Sequence, residues 1–522
     1  MLLLRETLSQ ALRRYPRAIA TLCGSTQNSY EEFSERVCRL ANGLANLGVE
    51  KGDRIAVLML NCHRFLEIYY ATALGGYVIV PLNVRWGAKE FAYALQDCNP
   101  KVFMLDAVVA QHLSPFIEPI KSFGVQHFLF ASDEPPPTGM ISYEELLQRS
   151  PSAPPSVNVS EDDLAGLFYT SGTTGEPKGV MLTHRNLVMN AYHAQIAIRF
   201  DAESVYLHAA PMFHLADGAA TYTVTWNGGT HAFVPKFDPA DVLRAISRYR
   251  VTSTVLVPTM INMLIHSPDI ERSDLSSLQQ ILYGASPIAP ELLKRAMQTL
   301  KCRFQQGYGM TEAAPLVSVL TAHDHERALR GDERLLASAG RPILGVDVRI
   351  VNDDDRDVSR GEVGEIVVRG PNIMKGYWKK PEETAKALRG GWYHTKDMAR
   401  QDSEGYLYIV DRKDDMIITG GENVYSTEVE AVLYQHPDIL EAAVIGVPDE
   451  RWGEAIKALV VLRPGARLSE ADVIAHCKAL LSSYKVPRSV EFVAELPKSG
   501  TGKILKSALR ERYWANRERR VH

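Results

Sequence analysis

Cysteine is scarce in this chain, with six among 522 residues, and no two of them form a CxxC pair. That spacing excludes a zinc ribbon or a CxxC redox site, and it favours reduced thiols in a cytoplasmic compartment. The chain also lacks an excess of either charge, because 58 Lys and Arg face 62 Asp and Glu, for a net charge of −4. No basic field is therefore available to bind nucleic acid.

Long hydrophobic runs are also missing. The longest apolar stretch, residues 71–82, contains two glycines and is too short to span a bilayer. No internal repeat or low-complexity tract interrupts a composition of 46% hydrophobic and 23% charged residues, which is typical of a globular protein with a large core. We expect no membrane span, while peripheral membrane association and a homodimer stay open.

Short apolar runs alternate with amphipathic segments over most of the chain. Strands are predicted at residues 54–60, 101–105, 127–130, 254–257 and 278–283. Between them, residues 31–47 are predicted to form a helix, with Ser29 and Glu32 as a capping box and Gly48 at its end. This alternation predicts an α/β protein whose largely parallel sheets are covered by helices.

The pattern changes near residue 400. Residues 402–405 read as a hairpin turn between short strands, and a small βαβ-like unit follows with a second capping box from Thr427 to Glu430. The last part of the chain is therefore expected to form a separate small domain.

The most informative segment is residues 169–179, YTSGTTGEPKG, which follows an apolar strand at residues 164–169. Its three glycines let backbone N–H groups approach an anion closely, the hydroxyls of Ser171, Thr173 and Thr174 are donors, and Lys178 adds a cation. The spacing is not that of a Walker A loop. We interpret the segment as a phosphate-binding loop.

This loop resembles the signature of the adenylate-forming superfamily, which includes acyl-CoA synthetases, peptide-synthetase adenylation domains and firefly-type luciferases. Four further motifs of that family follow in order: QGYGMTE (306–312), WYHTKD (392–397), DRKDDMIITGGEN (411–423) and PKSGTGK (497–503). The resemblance covers essentially the whole chain. It implies a large N-terminal domain, 1–413, of parallel-rich sheets with a small β-barrel-like subdomain, and a smaller mobile α+β lid domain, 414–522.

The resemblance also implies a two-step reaction that uses ATP, Mg²⁺ and coenzyme A. A carboxylic acid first attacks the α-phosphate of ATP to give acyl-AMP and pyrophosphate, and the acyl group then passes to the thiol of coenzyme A. Positive and N–H groups must meet the charge that gathers on the phosphate. By this resemblance, Lys503 is the catalytic lysine, Thr311 donates to the phosphate and Glu312 holds the metal.

The remaining ATP-binding residues are carried over from the same motifs. Asp397 is expected to accept both ribose hydroxyls with Arg412 nearby, and Tyr308 is expected to stack on adenine. The full set assigned to ATP is Thr170, Ser171, Gly172, Thr173, Thr174, Gly175, Lys178, Gly284, Ala285, Ser286, Pro287, Gly307, Tyr308, Gly309, Asp397 and Arg412. Thr174 is also expected to join Glu312 at the metal.

Asp414 stands at the position of the family's hinge, about which the small domain turns between the two half-reactions. Gly420 and Gly421 fit the turn that the pantetheine arm passes, and Trp452 aligns with a tryptophan near the nucleotide end of coenzyme A. Tyr484, Lys485 and Arg488 are candidates for further basic and aromatic contacts there.

One residue departs from the family pattern. Lys396 stands where the family usually has glycine, just before Asp397. Either its backbone adopts a positive φ at a cost of order 1 kcal/mol, or it keeps ordinary dihedral angles and points outward.

His214 is the family's pocket-shaping histidine and is counted among the catalytic candidates. Its pocket is expected to be lined by Phe213, Ala216, Gly218, Thr221, Tyr222, Met260 and Met310. Small residues at 216, 218 and 219 leave room, which favours an extended alkyl or bulky aryl acid over acetate. A medium- to long-chain fatty acid is the leading expectation, and an aryl or cinnamate-like acid is the alternative. Asp217 does not match the spacing of the carboxylate that receives an amino-acid substrate.

Three other functions stay open at this point. The first is an adenylating enzyme that passes its acyl-AMP to a separate carrier protein. The second is a luciferase-like monooxygenase, and the third is a catalytically silent interaction protein. The last is disfavoured because Thr311, Glu312, Asp397 and Lys503 occur together.

Overall fold

The computed structural model describes residues 2–113, 120, 122–170, 177–286, 288–498 and 504–514. The chain divides into two compact units. The first combines Met1–Asp347 with Val368–Tyr393, and the second combines Val348–Val367 with His394–His522. Each unit is therefore built from two separate stretches of sequence.

The strands are numbered in chain order. Those before residue 200 are β1 (Ile19–Cys23), β2 (Thr26–Ser29), β3 (Arg54–Leu58), β4 (Val78–Pro81), β5 (Val102–Leu105), β6 (His127–Phe130), β7 (Ile141–Ser142), β8 (Leu164–Thr170) and β9 (Lys178–Thr183). The next are β10 (Val205–His208), β11 (Thr230–Phe233), β12 (Ser253–Leu256), β13 (Gln280–Gly284), β14 (Arg303–Gly309), β15 (Leu316–Leu320) and β16 (Arg341–Pro342). The last are β17 (Asp347–Val351), β18 (Gly364–Arg369), β19 (Gly376–Tyr377), β20 (Tyr393–Gln401), β21 (Leu407–Arg412), β22 (Ile417–Thr419), β23 (Glu422–Val424), β24 (Ile439–Asp449), β25 (Gly453–Leu462) and β26 (Ser489–Phe492).

The helices are numbered in the same way. The first nine are α1 (Leu4–Arg14), α2 (Tyr30–Asn46), α3 (His63–Gly75), α4 (Ala88–Cys98), α5 (Ala107–Leu113), α6 (Tyr143–Arg149), α7 (His184–Ile198), α8 (Leu215–Gly218) and α9 (Ala220–Trp226). The others are α10 (Pro239–Tyr249), α11 (Pro258–Ile265), α12 (Pro290–Leu300), α13 (Ala322–Leu329), α14 (Pro381–Ala387), α15 (Ser426–Leu433), α16 (Glu470–Leu480) and α17 (Lys506–Trp514).

Two large sheets form the first unit. One has the order β16-β15-β14-β13-β12-β10-β11-β1-β2, and the strands from β14 to β1 pair parallel with one another. The other has the order β19-β9-β8-β4-β3-β5-β6-β7, with parallel pairing from β8 to β7. Parallel strands buried on both faces explain the continuous apolar runs of the sequence. The prediction of parallel-rich sheets covered by helices is confirmed.

The C-terminal part of the chain has a mixed α+β structure, as predicted. A sheet of order β23-β22-β25-β24, with β26 paired to β25, carries the helices α15, α16 and α17. The hairpin at residues 402–405 is also confirmed, because β20 and β21 pair antiparallel on either side of it. A sheet of order β17-β18-β20-β21 contains this hairpin.

The two predicted capping boxes have different outcomes. At α2, the Ser29 hydroxyl accepts from the Glu32 amide and the Glu32 carboxylate accepts from the Ser29 amide, which confirms the box; Gly48 follows with φ 79°. At α15 the prediction is wrong, because the helix begins at Ser426 and the Thr427 hydroxyl donates to the Val410 carbonyl instead. The Glu430 carboxylate is used by a buried lysine, described below.

Within the described residues, no helix is both long and apolar enough to cross a bilayer.

Candidate active site

The phosphate loop closes a β-hairpin in the first unit. Strands β8 and β9 pair antiparallel, and Thr170 stands opposite Lys178 in the register. The Lys178 ammonium forms an ion pair with Glu383 and lies 5.4 Å from the centre of the Tyr377 ring. The predicted loop residues Ser171, Gly172, Thr173, Thr174 and Gly175 lie outside the described residues. The hairpin therefore fixes both ends of the loop.

Thr311 and Glu312 begin a short 3₁₀ turn directly after β14. The Tyr377 hydroxyl donates a 2.9 Å hydrogen bond to Glu312 Oε1. Burial, with the Glu312 carboxylate beside it, raises the pKa of Tyr377, so the tyrosine keeps its proton and stays a donor. The backbone amide of Met374 also donates to the Glu312 carbonyl, at 2.8 Å. No sequence motif pointed to Tyr377, whose hydroxyl orients this carboxylate.

The predicted adenine-binding segments meet at the carboxyl ends of two neighbouring parallel strands. Gly284 of β13 stands opposite Gly307 of β14. A Cβ at Gly284 would lie 2.2 Å from the Gly307 carbonyl oxygen, and one at Gly309 would lie 1.9 Å from the Pro315 oxygen. These two glycines are required by backbone contacts. Ligands of open α/β sheets bind at this edge.

Other members of the adenine set are placed by the same strand ends. Ala285 adopts φ 66° directly after β13, followed by Ser286, and Tyr308 stands opposite Ser318 across the β14–β15 pair. Pro287 lies outside the described residues.

A Mg²⁺ ion would find one suitable ligand here. Glu312 offers carboxylate oxygens, and Mg²⁺ bound with a nucleotide needs only one or two protein carboxylates beside phosphate oxygens and water. Across the described ranges, no cluster of three or more His, Cys, Asp or Glu residues could hold a metal by itself. The residues present therefore fit a metal that arrives with ATP.

The pair expected at the ribose lies in the second unit. Asp397 of β20 stands opposite Arg412 of β21, and Arg412 Nε lies 3.1 Å from Asp397 Oδ1. The Asp397 amide donates to the Thr395 hydroxyl at 3.0 Å. The two predicted side chains are thus brought together by a regular strand pair.

Lys396 adopts the first of its two expected conformations, with φ 62°. Its amide donates to Glu365 Oε1 at 3.0 Å, and its carbonyl accepts from the Lys413 amide at 2.7 Å. Its ammonium lies 3.1 Å from Asp414 Oδ2, the predicted hinge residue. Two backbone hydrogen bonds and an ion pair therefore hold a lysine in a left-handed conformation.

Trp452 packs against the glycine turn expected to face pantetheine. Gly420 and Gly421 have φ 61° and 85°, and a Cβ at Gly420 would lie 2.7 Å from Trp452 Cε3. The guanidinium groups of Arg451 and Arg488 lie 4.7 and 5.3 Å from the indole ring centre. The sequence did not single out Arg451. The result is an aromatic ring with two cationic neighbours.

Lys503 lies outside the described residues, but both ends of its segment are described. Lys498 and Ile504 form an antiparallel bridge, and the Leu505 amide donates to the Pro497 carbonyl at 2.8 Å. The segment between them is therefore closed at its base. We call residues 499–503 the lysine loop.

The expected acid pocket is next to a chain of buried hydrogen bonds, which we call the histidine chain. The Asp217 carboxylate of α8 accepts from the Tyr206 hydroxyl at 3.0 Å and from His208 Nδ1 at 2.6 Å. His208 Nε2 lies 3.0 Å from His231 Nδ1, and His231 Nε2 lies 2.9 Å from the Thr225 hydroxyl. Asp217, His208 and His231 are fully buried. The Asp217 carboxylate is therefore used in structural hydrogen bonds and does not face a substrate.

Gly218 does not provide the room expected from the sequence. A Cβ at this position would lie 2.6 Å from the Met212 carbonyl oxygen and 2.7 Å from the Tyr69 hydroxyl. That hydroxyl also donates to the Met212 carbonyl. The glycine permits close packing instead of opening a pocket, so this part of the prediction is wrong. Ala216 of the same helix is exposed.

His214 immediately precedes α8. Burial lowers the pKa of its imidazole to about 4, so the side chain is neutral near pH 7. A neutral imidazole beside the acid does not attract a carboxylate as a cation would. Its place supports a role in shaping the pocket.

The chain matches known proteins over nearly its whole length. Residues 8–378 match the family of AMP-binding enzymes, and residues 428–503 match the AMP-binding enzyme C-terminal domain. A feruloyl-CoA synthase from an Amycolatopsis species is 42% identical over 96% of this chain and 97% of its own. A medium/long-chain-fatty-acid–CoA ligase of Mycobacterium tuberculosis is 35% identical over 98% of this chain and 90% of its own.

A solved structure agrees with these relatives. The o-succinylbenzoate CoA synthetase of Bacillus subtilis, in complex with its acyl-adenylate intermediate, has a TM-score of 0.84 and 30% identity, over 96% of this chain and 97% of that one. The chain therefore belongs to the adenylate-forming superfamily of AMP-binding enzymes, in its acyl-CoA synthetase branch, and is an AMP-forming acid–CoA ligase that uses ATP, Mg²⁺ and coenzyme A.

Proposed function

We propose that the acid activated by this ligase is a compact aromatic acid of the hydroxycinnamate type. The packing beneath α8 is the observation that carries this proposal, because the space at Gly218 is occupied by Tyr69 and the Met212 carbonyl. No further atom fits directly beside Gly218. The relative with 42% identity is a feruloyl-CoA synthase, and ferulate is a hydroxycinnamic acid, which supports the same class.

Five aromatic rings fill the core on that side of α8. Tyr222 contacts Tyr69 and Tyr70 edge-on, with ring centres 6.0 and 5.7 Å apart. Phe65 stacks on Tyr69 at 5.4 Å, and Phe33 meets Tyr70 at 5.7 Å. All five are buried, and such contacts hold rings in fixed positions. This close packing on one side of α8 favours a short, planar acid over a long, flexible chain.

A medium- to long-chain fatty acid is the second candidate. The fatty-acid–CoA ligase of Mycobacterium tuberculosis supports it, at 35% identity over nearly the whole chain. Ala216 of α8 is exposed, and its small side chain leaves that side of the helix uncovered.

For the first half-reaction we assign the phosphate to Lys503, Thr311 and Lys178. A carboxylate oxygen of the acid attacks the α-phosphorus, the bond from that phosphorus to the bridging oxygen breaks, and pyrophosphate leaves with both electrons. Donors that meet the growing charge lower the barrier. Mg²⁺, when bound through Glu312, neutralises phosphate charge. The Tyr377 hydroxyl keeps the Glu312 carboxylate in one orientation.

The nucleoside is assigned to side chains that the strands already hold in place. Asp397 accepts from the ribose hydroxyls, and the Arg412 guanidinium beside it orients the carboxylate. Tyr308 stacks on adenine against the backbone of 284–286. His214, being neutral, shapes the acid side of the site.

For the second half-reaction we assign coenzyme A to the Trp452 region. The thiol sulfur bonds to the acyl carbon, the carbon–oxygen bond to AMP breaks, and the thiol proton is released. Gly421 leaves its side of the backbone open to the pantetheine arm, whereas Gly420 is covered by the Trp452 ring. Arg451 and Arg488 offer cations to the phosphates beside that ring. Coenzyme A carries a 3′-phosphate and a diphosphate, which two guanidinium groups suit.

The acid is tested by measuring pyrophosphate release and acyl-CoA formation with ferulate, 4-coumarate, benzoate, octanoate and palmitate, each with and without coenzyme A. We expect the highest kcat/KM with ferulate or 4-coumarate. A higher value with palmitate would overturn the aromatic assignment and favour the second candidate. An adenylate that forms and never reaches coenzyme A would point to a carrier protein.

The phosphate and thiol assignments are tested by two variants. Lys503→Ala should slow adenylation by about 10²–10³, the usual cost of losing a transition-state donor. Arg488→Ala should raise the KM for coenzyme A and leave the KM for 3′-dephospho-coenzyme A nearly unchanged. An equal rise for both thiols would remove Arg488 from the 3′-phosphate.

A further inference from the structure

A buried lysine in the second unit has no role in the assignments above. The Lys506 ammonium lies 2.7 Å from Glu430 Oε1 and donates to the Ser426 hydroxyl at 2.5 Å. That hydroxyl donates to Asp411 Oδ2 at 2.7 Å, and the Ser426 amide donates to the same oxygen at 2.5 Å. We call Lys506, Glu430, Ser426 and Asp411 the lysine cluster. Their contacts form one continuous network.

Nearby carboxylates offset the cost of burying the Lys506 ammonium. Burial alone would lower the pKa of Lys506, but Glu430, Asp411 and Asp415 together raise it, so the ammonium keeps its proton. Glu430 Oε1 also accepts from the Val444 amide at 2.7 Å. A buried charge is tolerated when its partners satisfy its hydrogen bonds, and removal of one partner is costly. The cluster therefore holds its four residues in fixed positions, which an exposed ion pair would not do.

One end of the cluster is next to the lysine loop. Lys506 is the first residue of α17, and Ile504 and Leu505, just before it, pair with Lys498 and Pro497 at the base of the loop. No free linker separates the loop from the helix. Lys506 therefore lies two residues after the bridge that closes the base of the loop.

The other end of the cluster is next to the predicted hinge. Asp411 is followed directly by Arg412, assigned to the ribose, and then by Asp414. A second ion pair lies one helical turn further along α17, because Arg510 Nη1 lies 2.5 Å from Asp415 Oδ1. Residues four apart on a helix share one face. One face of α17 is thus attached to both sides of the hinge residue.

We propose that Lys506 and Glu430 are positioning residues for adenylation. They hold α17 against residues 411–415, so that residues 504–505, the described end of the segment that carries Lys503, stay in a fixed position relative to the hinge segment. Neither side chain contacts the reacting atoms in this proposal. It rests on the proposed role of Lys503, because a rigid link matters only if the loop carries a catalytic group.

The test compares Lys506→Met with Lys498→Met. Lys498 is on the other flank of the loop and pairs with Glu441 at 2.5 Å, but it is partly exposed. Lys506→Met should lower kcat for adenylation by about 10²-fold, a typical cost of misplacing a reacting group. It should leave the KM for ATP and the rate of thioester formation from preformed acyl-AMP near wild type. Lys506→Arg should recover much of the lost rate, and Lys498→Met should match wild type.

A second readout does not depend on activity. Amide hydrogen exchange should rise in Lys506→Met both at residues 411–426 and at 504–514, and Lys498→Met should leave 411–426 unchanged. Faster exchange confined to 504–514, or equal losses in both half-reactions, would overturn the proposal. If the wild type itself forms no acyl-AMP, the assigned function fails, while the paired exchange response still decides whether Lys506 links the two segments.

Discussion

The histidine chain of the first unit and the lysine cluster of the second bury polar groups in different ways. In the histidine chain, His208 bonds to residues 9 and 23 positions away, on the next helix and the neighbouring strand. In the lysine cluster, Lys506 bonds to Ser426, 80 positions earlier. The first therefore stabilises a local piece of sheet, and the second fixes the distance between remote segments. Burial alone does not distinguish the two roles.

The largest effect on stability is expected from Asp217→Ala. The change leaves the Tyr206 hydroxyl and His208 Nδ1 without their shared acceptor, in a site with no access to water. Removing one partner of a buried pair costs about 3–5 kcal/mol. Urea unfolding followed by tryptophan fluorescence measures the loss. Asp162→Ala, at the exposed Asp162–Arg185 ion pair, is the control and should leave the free energy of unfolding nearly unchanged. Similar values for both would mean that the histidine chain contributes no more than a surface contact.

A smaller loss is expected from Glu430→Gln. The amide oxygen still accepts a hydrogen bond from Lys506, but the ion pair is gone, which costs about 1.5–3 kcal/mol. Replacing both charges, as Glu430→Leu with Lys506→Met, should recover part of that stability without recovering adenylation. Thermal unfolding and the adenylation rate are measured on the same samples. If stability and the adenylation rate recover together, the lysine cluster only stabilises the fold.

His193 belongs neither to the histidine chain nor to the lysine cluster, and its effect on stability is expected to depend on pH. Its ring nitrogens are buried without hydrogen-bond partners in the described part of the chain, and burial lowers its pKa to about 4. As pH falls below 6.5 the unfolded chain takes up a proton that the folded chain does not, so stability decreases until about pH 4.

His193→Leu removes that proton uptake. The variant should gain stability relative to wild type, and its advantage should be larger by on the order of 2 kcal/mol at pH 5 than at pH 8. Urea titrations at the two pH values measure it. A constant difference would show that His193 is not buried as a neutral base.

The smallest effect is expected from Lys396→Gly. Glycine relieves a left-handed strain of about 1–2 kcal/mol, loses an exposed ion pair with Asp414 and gains entropy in the unfolded chain. The net change in unfolding free energy should stay within about 1 kcal/mol of zero. The rate of the complete reaction at low and high salt is the sharper readout, because salt weakens the exposed pair in wild type only. The same salt response in both proteins would exclude any influence of the pair on the hinge.

Local pattern was enough to predict the elements that depend on local forces. Strand β6 was expected at 127–130 and lies at His127–Phe130, since an unbroken apolar run suits a strand buried on both faces. The capping box at Ser29 was also correct. The same pattern at Thr427 failed because Glu430 has a buried ammonium as partner, contributed by a distant part of the chain.

The site was predictable where a motif fixes the backbone and unpredictable where packing decides. Asp397 and Arg412 were identified from motifs, and the strand pair brings them together. Gly218 was misjudged because a missing side chain either leaves space or admits a neighbour, and only the position of Tyr69 distinguishes these outcomes. Tyr377 and Lys506 act through contacts with residues 65 and 80 positions away in the sequence, which periodicity does not encode. Arg451 contacts the neighbouring Trp452, and no motif singles it out.

The surroundings of Trp452 give the protein a natural optical probe. The chain has six tryptophans, and the emission of this one depends on Arg451 and Arg488, whose guanidinium groups lie near its ring. A phosphate that draws either arginine away changes the electric field at the indole, and with it the wavelength and intensity of fluorescence. Thiol binding is then observable in real time without a label, and Trp452→Phe supplies the blank.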